Sequence, residues 1–90
     1  MKTMTFHFYA DPGHGWLKVK TALLNKLGIE QEVSSYSYVR GEYAYLEEDC
    51  DASIFIDALK TSGVEPKYVE HVNLTKQSRI RNYSQYGVGY

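Results

Sequence analysis

The chain of 90 residues, 43% hydrophobic and 23% charged, suffices for one small core and is too short for a second domain or a large pocket. No apolar run approaches the roughly 20 residues that span a bilayer, and Met1 to Phe6 lacks the apolar stretch of a secretion signal, which points to the cytoplasm and away from membranes. The net charge of −1 hides a division: residues 1–75 carry seven Lys or Arg against all eleven carboxylates, whereas the last fifteen hold Lys76, Arg79 and Arg81 with no acid.

Thr3 to Tyr9 alternates Met4, Phe6 and Phe8 against Thr5, His7 and Tyr9, the period of a strand with one apolar face. Asp11-Pro12-Gly13 turns the chain, and His14 to Val19 returns as a second strand or extended segment. Thr21 is placed to cap a short helix over Ala22 to Leu27, with Gly28 ending it and Ile29 folding back onto it. Tyr36 to Tyr45 reads as a hairpin about an Arg40-Gly41 turn, pairing Tyr38 with Tyr43 and Tyr36 with Tyr45 on one face. Ile54, Phe55, Ala58 and Leu59 mark a second helix that ends at Gly63, with Pro66 as a stop signal, and Lys67 to Asn73 is a last strand. Tyr86 to Tyr90 is expected to fray.

The pattern predicts an α+β fold. Two helices pack on a sheet of four to five mainly antiparallel strands, and a ferredoxin-like arrangement with an added N-terminal strand is one topology that satisfies it. Residues 1–75 form the single domain, and 76–90 a basic, tyrosine-rich tail. An edge strand or the aromatic face leaves pairing of two copies open.

No catalytic constellation is legible. Four carboxylates in Glu47 to Asp51 suit a hard cation, but they also suit the N-terminal side of a helix, where they cap N–H groups. His7, His14, His71 and Cys50 lack metal-ligand spacing, and no cofactor motif is present. A metal-dependent enzyme centred on His14, Glu48, Asp51 and His71 is the least supported reading. Trp16, delivered by the two glycines that bracket His14, is either a core plug or a contact anchor.

Two binding readings remain. The tyrosine face, Tyr36, Tyr38, Tyr43 and Tyr45, with Trp16 would supply buried contact to a protein partner, while Glu47, Glu48 and Asp49 pair with its Lys or Arg. Alternatively the rings stack on single-stranded nucleic acid, with Arg40, Lys76, Arg79, Arg81 and Tyr83 contributing from turn and tail.

His14-Gly15-Trp16, Leu27-Gly28-Ile29, Ser35-Tyr36-Ser37-Tyr38, Tyr45-Leu46-Glu47-Glu48-Asp49-Cys50-Asp51, Glu70-His71 and Ser78-Arg79-Ile80-Arg81-Asn82-Tyr83 together resemble a family of small uncharacterised proteins of bacteriophages, prophages and other mobile elements. The resemblance covers about His14 to Tyr83 and carries no activity. It implies a setting: the cytoplasm of a bacterial host, and binding to a host macromolecule such as a defence complex, in the manner of anti-CRISPR proteins.

Overall fold

Alternating apolar residues build β1, Lys2–Ala10, and the Asp11 to His14 turn returns the chain as β2, Gly15–Lys20. In the computed structural model, which describes residues 2–87, Asp11 closes that turn by accepting the N–H groups of Gly13 and His14. β2 runs into helix α1, Thr21–Lys26. Lys20, not Thr21, stands at the N-cap; the Thr21 hydroxyl donates to the Glu42 carbonyl, tying the helix to the hairpin instead of capping it. The C-terminal end follows the expectation: Gly28 has φ 71°, its N–H donates to Asn25, and Ile29 N–H donates to Leu24, the paired bonds of a Schellman motif.

β3, Tyr38–Arg40, and β4, Tyr43–Glu47, form the hairpin with Tyr38 opposite Tyr45 and Arg40 opposite Tyr43. The turn is therefore Gly41-Glu42, with Gly41 at φ 60° in the first turn position, and the expected pairing is displaced by two residues. An even displacement keeps Tyr38, Tyr43 and Tyr45 on one face but leaves Tyr36 outside the ladder. Helix α2, Ala52–Thr61, ends at Gly63 as expected, and β5, Val64–Val72, begins before Pro66. Asn73 N–H donates to the Ala10 carbonyl, so odd-numbered positions of β5 bond inward and Pro66 faces the open edge, where its missing donor is tolerated.

The sheet order is β5-β1-β2-β4-β3-β6, the last strand being Ser84–Gln85. It has six strands and is mixed, because β1 and β5 are parallel while the other neighbours are antiparallel. β1 stands between β5 and β2, which a ferredoxin-like order would make neighbours. Both helices cover one face: Phe6, Leu17, Val19, Ala44 and Leu46 of the sheet meet Leu24 of α1 and Phe55 and Leu59 of α2, with Phe6 and Phe55 edge to face at 5.2 Å. The basic, tyrosine-rich C-terminal segment packs on the sheet. Arg79–Asn82 makes a 3₁₀ turn with Ile80 buried, β6 extends the sheet, and Tyr86 packs in the main core while its hydroxyl donates to the Glu30 carbonyl. Of the segment expected to fray, Val88 to Tyr90 lies outside the described residues. Among the described residues no helix is long and apolar enough to cross a membrane.

Candidate functional site

The face of the sheet away from the helices carries a second, aromatic core. Trp16, Tyr45 and Ile80 are buried there, and Tyr9, Tyr38, Tyr43 and Tyr83 pack around them. Tyr83 lies 5.1 Å from the Tyr45 ring, and burial, then the neighbouring Tyr83 and Tyr9, raise the Tyr45 phenol above its ordinary pKa. Cations sit over three of the rings: Lys18 on Tyr43 at 4.2 Å, Arg40 on Tyr83 at 5.0 Å and Arg81 on Trp16 at 5.5 Å. The tyrosine face, named as contact surface for a partner, is thus largely covered by the chain's own C-terminal segment. Trp16 and Tyr45, 2% and 7% exposed, are not available as contact surface in this conformation, whereas Tyr36 is 70% exposed.

One carboxylate fastens that cover. Asp11 accepts from Arg81 at 2.6 Å and 2.8 Å in a two-pronged pair and also from the Ser78 N–H at 2.9 Å. The Arg81 guanidinium, followed by the N–H groups of Ser78, Gly13 and His14, holds the Asp11 carboxyl well below the usual carboxylate range against the opposing effect of burial.

A cavity of about 390 Å³ opens beside Trp16, lined by His14, Tyr36, Tyr38, Glu47, Asp49 and Arg81 among others. These residues come from segments far apart in sequence. Two of them, around Ser35 to Tyr38 and Glu47 to Asp51, are interlocked by hydrogen bonds. Asp51 accepts from the Ser34 N–H, the Ser34 hydroxyl and the Ser37 hydroxyl, while Ser37 also accepts from the Glu47 N–H. Glu47 turns back to accept from the N–H groups of Asp49 and Cys50, and its other oxygen lies 3.9 Å from His14 Nδ1. The acidic run therefore closes its own turn and holds the preceding loop; no side chain caps α2 itself. Gly15 is required by space, since a Cβ there would collide with the Phe8 ring and the Glu48 carboxylate.

Five of the expected contact residues meet here: Trp16, Tyr36, Tyr38, Glu47 and Asp49. Glu48 faces the groove beside Phe8 and Ala52, and Tyr43 and Tyr45 lie elsewhere on the aromatic face. Carboxylates outnumber available cations in the cavity, because Arg81 is neutralised by Asp11. Of the expected nucleic-acid set, Arg40, Arg79 and Tyr83 line a separate hollow, Lys76 is exposed in the preceding loop, and Arg81 is committed to Asp11.

His14, Glu48, Asp51 and His71 do not converge. Asp51 is occupied by the serines, His71 pairs with His7 at 2.8 Å and stacks on Tyr9 at 4.6 Å, and among the described residues no three of His, Cys, Asp and Glu are grouped to hold a metal ion. Cys50 shares the cavity with His14, but partial desolvation, then Glu47, Asp51 and Asp49, raise its thiol above the ordinary pKa, the opposite of an activated nucleophile. Sequence reasoning missed Asp11, Ser34 and Ser37, which hold the lining segments in place; of the serines alternating with the tyrosines, Ser37 is fully buried whereas Ser35 is exposed at the cavity. Compared with family models, curated proteins and solved structures, the chain matches none.

Proposed function

We propose that this chain is a non-enzymatic accessory protein of a bacteriophage or mobile element that binds a host protein through the cavity beside Trp16. The observation that carries the reading is the convergence of two aromatic rings, Tyr36 and Tyr38, with two carboxylates, Glu47 and Asp49, around one opening backed by the buried Trp16. Aromatic faces and carboxylates together favour a cation, so the cavity suits a Lys or Arg side chain of the partner, with the exposed Tyr36 ring closing over it. A basic, nucleic-acid-handling surface offers such side chains, and the resemblance to mobile-element proteins makes a host defence complex the partner class.

Pull-downs from lysate of a bacterial host test it, with the wild-type chain and a Tyr36→Ser, Asp49→Lys variant as baits. A host protein retained at low salt by the wild type and lost from the variant supports the reading. Equal retention by both, or nothing retained by either, contradicts it.

A further inference from the structure

β1 and β2 part company halfway. They are paired only from His7 opposite Lys18 to Ala10 opposite Gly15; towards its start β1 pairs with β5 alone, while Val19 and Lys20 pair with β4 alone. Between them the sheet splits, and a cleft of about 500 Å³ opens beside α1. Its floor is apolar, with Met4, Phe6, Val19 and Leu23, and its cations are Lys18, Lys20 and Lys26. None of the eleven carboxylates lines it, although acids outnumber Lys and Arg in the chain as a whole.

Like charges that share a cleft without a counter-charge repel one another and raise the local potential, an arrangement that an anion relieves. None of the three lysines makes an ion pair among the described residues; Lys18 rests on the Tyr43 ring. Lysine acts on phosphate as a compact point charge, which suits a cluster of three without carboxylate or guanidinium forks. A bare phosphate would leave the apolar floor unused. The volume falls within the roughly 300–1,000 Å³ of small-ligand sites, room for a flat heterocycle against Met4 and Leu23 with its phosphate on the lysines.

We propose that this cleft binds the phosphate of a nucleotide, with the base against its apolar floor. The nucleotide comes either free or as part of a single strand that continues across the helix-free face toward Arg40 and Tyr83. The site shares no lining residue with the cavity beside Trp16, so the two proposals stand or fall separately.

The test uses the full chain with adenosine monophosphate, followed by calorimetry, and fluorescein-labelled single-stranded oligodeoxynucleotides, followed by anisotropy. Lys20→Glu with Lys26→Glu is expected to weaken binding at least about tenfold and to flatten its salt dependence by about one phosphate contact per lysine lost. Lys60→Glu, a charge reversal on α2, is expected to bind as wild type. Should the double reversal unfold, Lys20→Gln alone reads out the same loss at smaller amplitude. Binding of the mononucleotide alone assigns a free nucleotide, and binding of the oligonucleotide alone assigns a strand. Absence of binding by both probes at low salt, or equal binding by wild type and double reversal, overturns the proposal.

Discussion

The two ends of the sheet handle charge in opposite ways. At the Trp16 end, several polar groups are engaged within the chain: Asp11 holds Arg81, Asp51 holds Ser34 and Ser37, and Glu47 holds its own turn. At the split between β1 and β2, Lys20 and Lys26 answer to no carboxylate among the described residues. Buried polar groups that are fully partnered position a surface rigidly, and removing one partner leaves the other stranded. Exposed unpaired lysines hold nothing in place, so their loss is felt only by whatever they bind. The same distinction makes the two ends separable by experiment, because substitutions at the first are expected to cost stability and substitutions at the second are not.

The largest effect is expected at Asp11. Replacing it with Ala strands Arg81 over Trp16 and frees three N–H groups, a loss of about 3 kcal/mol in denaturant unfolding. The variant also isolates the acid sensitivity of the fold. The folded carboxyl is held below its ordinary value of 3.8, so the unfolded chain takes up the proton first; the contribution is complete above that value and is lost as the pH falls below it. Thermal unfolding of wild type is therefore expected to deteriorate more steeply below about pH 4 than that of Asp11→Ala. A parallel decline in both proteins would remove Asp11 from the account.

Ser37→Ala comes next, at about 1–2 kcal/mol, because it removes a buried donor to Asp51 and the acceptor of the Glu47 N–H. Hydrogen exchange at the Glu47 amide should accelerate in that variant, which tells loss of the interlock from a general weakening. Smallest is the lysine pair: Lys20→Glu with Lys26→Glu should shift stability by no more than about 0.5 kcal/mol, read from the same unfolding curves. A loss comparable to that of Ser37→Ala would mean that the cleft is a packing feature and not a free cationic surface.

How much was legible follows from how far apart the partners lie. The strand over Thr3 to Tyr9 and the helix ends at Gly28 and Gly63 depend on neighbours within a few residues, and the alternation and the glycines announce them. The hairpin's existence was equally local. Its register is not, because Arg40-Gly41-Glu42 offers glycine to two different two-residue turns, and the pairing of Lys20 on β2 with Tyr43 goes with the turn that is used. Insertion of β1 between β2 and β5, return of the C-terminal segment as β6, and the Asp11–Arg81 pair across 70 positions are long-range choices that no local pattern encodes. Five residues of the cavity were named from their types alone, yet Trp16 proved to be a wall and not an anchor, because Arg81 and Tyr38 close over it. The cleft of Lys18 and Lys20 exists only because two paired strands separate, which no local pattern announces.

Trp16 supplies the most direct probe of the cavity, since it is the one tryptophan of the chain and gives a single indole N–H resonance in a nitrogen-15 spectrum. Titrating the labelled chain at low salt with an arginine-bearing peptide, and separately with an acidic peptide of equal length, reads occupancy of the wall it forms. A saturable shift of that resonance with the basic peptide alone, weakened by salt and absent from Tyr36→Ser, Asp49→Lys, is the outcome expected of a cation-accepting cavity. An indole signal that stays fixed, or that moves alike in wild type and variant, would contradict it.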